Sequence, residues 1–203
     1  MKESMKFPLV LTLVCLGAAL GVGGVYTLTR GRIAERNALT REEARKLVAP
    51  EGASSFEAVD EAGEIFRVKD AQGKVLGYVS GGEARGYNGP VMIMAGFDNA
   101  LKVVRVAVTL HSETPGLGAE LAKVKTNQTL WGLLGLDTSE VHCHCWLDQF
   151  RGMTGEDVDP AAGKVDAQTG ATITSSAIAE AVFDAYQKVK QVVESSEKAG
   201  GTP

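Results

Sequence analysis

The stretch Asp166-Ala-Gln-Thr169-Gly170-Ala171-Thr172, followed by Ile173-Thr-Ser-Ser176, brings together what is needed to anchor a phosphate. Its small residues make a turn that sets the Thr172 hydroxyl at the mouth of an amphipathic helix. In that helix Ile178, Val182, Ala185, Val189 and Val193 recur every three or four residues as one apolar stripe, and Thr174, Ser175 or Ser176 serves as N-cap. A helix N-terminus carries unpaired N–H groups and a partial positive charge, so a phosphate esterified to Thr172 is stabilised there. As a bare pattern the run reads equally as an ordinary turn and cap. A second stretch, His111-Ser-Glu113-Thr114-Pro115-Gly116-Leu117-Gly118, makes a tight loop whose backbone can approach a planar ligand while Leu117 offers an apolar face. A plain Pro-Gly turn has the same local signature.

Both stretches, and their order along the chain, resemble motifs of one family. The first is similar to the flavinylation motif Asp-x-x-(Ser/Thr)-Gly-Ala-Thr, and the second to the Glu-Thr-Pro-Gly-Leu-Gly loop, of the FMN-binding subunits of Rnf-type complexes and of the sodium-pumping NADH:quinone oxidoreductase. The resemblance implies that a flavin transferase joins the phosphate of FMN to Thr172, with Asp166, Thr169, Gly170 and Ala171 completing the acceptor motif. It further implies that Glu113, Thr114, Gly116, Leu117 and Gly118 form the loop holding the isoalloxazine ring, Thr114 and Leu117 touching it. Gly86-Tyr87-Asn88-Gly89-Pro90 and Trp146-Leu-Asp-Gln149-Phe150-x-Gly152 resemble further elements of these subunits, and there Tyr87 and Trp146 are read as core or turn-packing aromatics.

The resemblance covers residues 51–193 and the N-terminal anchor, and it is nearest to the G subunit of an Rnf-type complex. It implies an electron relay within a ferredoxin:NAD oxidoreductase complex coupled to Na+ or H+ translocation, with other membrane subunits as partners. The C subunit of the sodium-pumping enzyme carries the same motifs on a chain that is usually longer, and a flavin-free, membrane-tethered assembly module is the reading from another class. FMN supplies its own redox chemistry, so no catalytic side chain is expected.

The elements that must position these residues follow from composition. Residues 7–28 are uncharged and mostly apolar, as long as the roughly 20 residues that span a bilayer. They read as one transmembrane helix after a cytoplasmic stub, residues 1–6. The run exceeds a signal-peptide core and lacks an Ala-x-Ala-like cleavage site, and Cys15 within it reads as a lipid-facing thiol. Arg30, Arg32 and Arg36 pull the C-terminal side inward, but the family resemblance places the flavin domain on the periplasmic or outer face of the cell inner membrane.

Residues 29–50 form a stalk, with a solvated helix over 33–48. An FMN-binding domain of α+β class occupies residues 51–195, with a disordered tail over 196–203. Strands are expected at 64–69 and 75–79 around Asp70-Ala-Gln-Gly73, and at 91–97 and 101–110 around Asp98-Asn99, giving two antiparallel hairpins. Helical segments are expected near 119–124 and 127–134, and a long helix over 175–194.

A formal net charge of -4 argues against a nucleic-acid surface. No serine, cysteine or carboxylate-pair catalytic signature appears, and the absence of Cys-x-x-Cys-His excludes ordinary c-type haem attachment. His142-Cys143-His144-Cys145 stands outside the matched motifs. On a strand its alternation sends both histidines one way and both cysteines the other, so no metal ligand set is assigned; packing residues, a redox-labile thiol pair or a metal contact remain its readings. His111 is read as support for its loop.

Overall fold

The computed structural model describes residues 3–60, 63–122 and 146–200. The chain divides into two compact units, Met1–Thr40 and Arg41–Pro203. The first unit is carried by helix α1 (Glu3–Val48), which contains an apolar segment long enough to cross a membrane by length and composition. Within it Phe7, Leu11, Leu20 and Leu28 stand exposed, as a lipid-facing surface requires.

The second unit is a five-stranded antiparallel meander in the order β1-β2-β3-β4-β5: β1 (Ser55–Ala58), β2 (Ile65–Lys69), β3 (Val75–Arg85), β4 (Pro90–Asp98) and β5 (Val103–Leu110). It is followed by a short helix α2 (Gly155–Val158) and the long α3 (Thr172–Gly200). The α+β class with antiparallel hairpins and a long C-terminal helix is thus present. Asp70 and Asp98 fasten the two expected hairpins in the same way. The Asp70 carboxyl accepts from the N–H groups of Gln72 and Lys74, and that of Asp98 from Ala100 and Lys102, all at 2.8–2.9 Å. The second strand of the later hairpin starts at Val103 rather than at residue 101, because Leu101 turns through φ +57° and packs its side chain against the core.

The sheet is buried on both faces. Alternation along β4 sends Val91, Ile93, Ala95 and Phe97 toward α3, where they meet Ile178, Val182, Ala185 and Val189, the stripe expected for that helix. Met94, with Val68 and Val79, faces the other way, onto Ala44 and Val48 of α1. The end of α1 is therefore packed rather than a solvated stalk, and Arg105 donates to the Leu47 carbonyl at 3.1 Å to close its last turn.

Helix α3 lies directly on β3. A Cβ at Gly82 would overlap the Ala181 carbonyl and stand 3.1 Å from the Ala185 nitrogen. The helical segment expected near 119–124 is a short 3-10 helix, Gly118–Ala122, among the described residues. The helix expected at 127–134 and the His142–Cys145 run lie outside the described residues.

Gly82→Ala should lower the thermal midpoint followed by circular dichroism, at a cost of about 1–3 kcal/mol for overpacking. An unchanged midpoint would mean that α3 can withdraw from β3 freely.

Candidate functional site

The Thr172 turn is built from its own backbone. Gly170 takes φ +82°, the Ala171 N–H donates to the Gln168 carbonyl at 2.9 Å, and the Ser175 N–H closes the first helical bond onto the Ala171 carbonyl at 2.9 Å. Helix α3 consequently starts at Thr172, ahead of all three expected N-cap residues. Ser175 stabilises the entry from inside the helix: its hydroxyl accepts from the Gln168 N–H and donates to the Ala171 carbonyl, both at 3.0 Å. Thr172 is exposed in the first turn, where backbone N–H groups lack partners within the helix. Its hydroxyl has no hydrogen-bond partner among the described residues. The neighbouring hydroxyls are sequestered, Thr174 being 3% and Ser175 1% exposed.

Thr174 is held by Glu113. Its Oγ1 donates to Glu113 Oε2 at 2.8 Å, across 61 positions of sequence. Glu113 Oε1 accepts from the Asn88 N–H at 3.3 Å, and Asn88 Nδ2 donates to the Ser112 carbonyl at 2.7 Å. One buried carboxyl thus ties together the turn after β3, the loop after β5 and the first turn of α3. The packing is close enough to require glycine on both sides. A Cβ at Gly118 would stand 2.5 Å from Thr174 Oγ1 and 2.9 Å from Glu113 Oε2, and one at Gly86 would overlap Glu113 Oε1.

The loop itself is wound tightly. The N–H groups of Leu117 and Ala119 both donate to the Thr114 carbonyl, at 3.2 and 3.3 Å, while Gly116 takes φ +82°. Leu117 is left 52% exposed, leaning over Gly170 so that a Cβ there would meet its Cδ2 at 3.6 Å. Behind the turn, Trp146 Nε1 donates to the Asp166 carbonyl and Gln149 Oε1 accepts from the Asp166 N–H, both at 2.9 Å. Trp146 also meets Phe150 edge-on with ring centroids 5.5 Å apart, the packing role expected of it. Farther back, Asp157 completes a capping box with Thr154. Its carboxyl is held well below the usual range by the hydrogen bond from Lys164 and by those from Thr154.

The result is an open pocket of ≈ 330 Å³, within the roughly 300–1,000 Å³ of small-molecule sites. Seven of the expected site residues line it: Glu113, Thr114, Leu117, Gly118, Gly170, Ala171 and Thr172. Gly116, Asp166 and Thr169 stand outside its wall. Asp166 engages the site's support through its backbone, and Gly116 shapes the loop through its φ. Sequence reasoning misses Thr174, Ile173 and Tyr87 as lining residues. Tyr87 is 72% exposed and is not the packing aromatic expected of it, because the Glu113-bound turn directs its side chain away from the core. Its place in a motif-like turn is the available signal.

A planar ligand with a phosphate tail fits these residues: apolar side chains flank the mouth, and a free hydroxyl at a helix N-terminus stands at one end. FMN has those two parts.

Thr174→Val keeps the shape of the side chain and removes the donor to Glu113 Oε2, leaving only the Asn88 N–H on Oε1 among the described residues. It should cost about 1–3 kcal/mol for the buried carboxyl oxygen left without a donor, read by chemical denaturation, with Thr174→Ser near the unsubstituted value. Equal stability of all three chains would refute the weight given to the Glu113 contact.

The chain is similar to the G subunit of the Na(+)-translocating ferredoxin:NAD(+) oxidoreductase complex of Acetobacterium woodii, at 27% identity over 94% of this chain and 95% of that protein. It is similar to the G subunit of the ion-translocating oxidoreductase complex of Methanosarcina acetivorans at 28% identity, covering 93% and 95%. The crystal structure of Shewanella oneidensis NqrC aligns with a TM-score of 0.45 at 19% identity, covering 74% of each chain. Residues 86–187, half of the chain, match the FMN-binding domain over a span that takes in Tyr87, the Glu113 loop and Thr172, and the chain belongs to that family.

Proposed function

We propose that this chain carries FMN as a phosphoester on Thr172 and relays electrons as the membrane-anchored G subunit of an Rnf-type ferredoxin:NAD oxidoreductase complex coupled to Na+ or H+ translocation. The observation that carries the reading is the exposed hydroxyl of Thr172 at the head of a long helix, without a hydrogen-bond partner among the described residues and opening into a pocket shared with the Glu113–Gly118 loop. Thr174, just beyond the motif, is disfavoured as acceptor by its burial and its bond to Glu113. The end-to-end similarity to G subunits of such complexes supports the assignment to the complex.

In this reading the protein's work is binding and orientation. The first-turn N–H groups of α3 would hold the phosphate, whose charge the helix dipole would favour. Leu117 and Ile173 supply apolar walls, and the Glu113 clasp holds the two sides of the pocket in register. When bound, FMN supplies hydride and one-electron chemistry itself. A flavin transferase matures the chain, α1 anchors it in the cell inner membrane, and the flavin domain lies on the periplasmic or outer side.

Full-length chain made together with a flavin transferase should show a fluorescent band on a denaturing gel and the mass increment of FMN. Thr172→Ala should abolish both, and Thr172→Ser should retain some label because the hydroxyl is the only group the ester needs. A label that survives Thr172→Ala would refute the attachment site.

Leu117→Asp should leave the flavin attached and lower its midpoint potential, since a negative charge disfavours the reduced, anionic ring. An unchanged potential and spectrum would place Leu117 away from it.

For topology, alkaline phosphatase fused after Pro203 should be active in cells. An inactive phosphatase together with a bright cytoplasmic fluorescent fusion would reverse the orientation.

A further inference from the structure

In the second unit the large apolar side chains left exposed among the described residues are Leu47, Tyr87, Leu110, Leu117 and Ile173. Three of them, Tyr87, Leu117 and Ile173, line the single pocket that also holds Thr172. Tyr87 is the odd member, because every other described aromatic ring of this unit is buried or half-buried. It is not the tip of a loose loop. The Gly86 N–H donates to the Gly89 carbonyl at 2.8 Å, and Asn88 is bonded on one side to Glu113 and on the other to the Ser112 carbonyl. The fold thus places a buried carboxyl under a turn whose central ring touches no core.

An exposed aromatic ring carried on a hydrogen-bonded turn beside a pocket with aliphatic walls suits a flat, conjugated ligand, which stacks on such a face. We propose that Tyr87 is the aromatic wall of the pocket, a positioning residue that stacks on the isoalloxazine ring and sets both its mobility and its emission. This rests on the flavin reading of the pocket. A phenol in contact with a photo-excited flavin gives the ring one electron and takes it back in the dark return, so both groups end unchanged and the fluorescence is lost. Phenylalanine keeps the stacking face without an accessible electron, and alanine keeps neither.

The test compares full-length chain with its Tyr87→Phe and Tyr87→Ala variants, each made with a flavin transferase and checked first by intact mass. Tyr87→Phe should lengthen the flavin fluorescence lifetime several-fold with anisotropy unchanged. Tyr87→Ala should lengthen it as much, lower the anisotropy and shift the midpoint potential. Flavinylated variants whose lifetime, anisotropy and potential equal those of the unsubstituted chain would overturn the role of Tyr87 and leave the attachment reading intact. If intact mass finds no covalent flavin, the Thr172 reading fails separately, and free FMN titrated into the same apo chains becomes the probe. Quenching by the unsubstituted chain that Tyr87→Phe relieves upholds the proposal. Equal quenching by both chains, or none by either, overturns it.

Discussion

The hydrogen bond from Thr174 to Glu113 is the contact on which the site depends. The pocket has two sides made by chain segments far apart in sequence, the first turn of α3 on one and the loop after β5 on the other, and among the described residues that loop has no ladder of its own to hold it against the helix. A hydroxyl–carboxyl bond in a buried setting fixes their separation, and leaving either partner unpaired there costs far more than the bond nets when made. The same carboxyl reaches the Asn88 N–H, so the turn bearing Tyr87 is set by the atom group that sets the helix. Gly118 and Gly86 follow from this, since a methyl group at the first would crowd the Thr174–Glu113 bond and one at the second would overlap the Glu113 oxygen that takes the Asn88 N–H.

The sheet makes that contact available. β4 is covered on both faces, by α3 on one and by Ala44 and Val48 on the other, which gives the meander a rigid centre. The β3–β4 turn and the loop after β5 emerge at the same end of the sheet, and α3 packs along β3 so closely that Gly82 is needed beneath Ala181. A small displacement of α3 would therefore be felt at Glu113, because close-packed interiors transmit strain rather than absorb it.

Much of this is legible in the sequence where patterns are local. The apolar stripe of α3 and the two Asp-headed hairpins are periodic or turn-coded, and both appear. The two ligand-loop motifs are visible by resemblance, and the residues that line the pocket from them are adjacent in space as well as in motif. What is not legible is pairwise and distant. Nothing near Glu113 announces Thr174 as its partner, and a serine or threonine near a helix start reads as a cap until the first helical bond is seen to close at Ala171. β1 escapes a sequence reading because Ser-Phe-Glu-Ala is too short to alternate, and it is an edge strand supported only by β2. Tyr87 reads wrongly because an aromatic beside glycine and proline packs a turn more often than it faces solvent, and its exposure depends on a bond to a residue 25 positions from Asn88.

The openness of the pocket is consistent with a tethered ligand. A freely exchanging cofactor must recover from its contacts the translational and rotational freedom it loses on binding, which favours deep sites that enclose most of the ligand. A group esterified to Thr172, as proposed above, would have met that cost during maturation, and its local concentration at the pocket would be set by the tether rather than by affinity. Shallow apolar walls then suffice to orient the ring. On the proposed reading, the part of the ring left uncovered would be where another redox centre approaches, and a carrier that must take electrons from one partner and hand them to another gains from such exposure. Burial would strengthen the hold on the ring and lengthen the path for the electron. On the proposed reading the phosphate end would be fixed at the α3 N-terminus while Glu113 holds the walls, a firm anchor beside an accessible ring, which is the arrangement an electron relay needs.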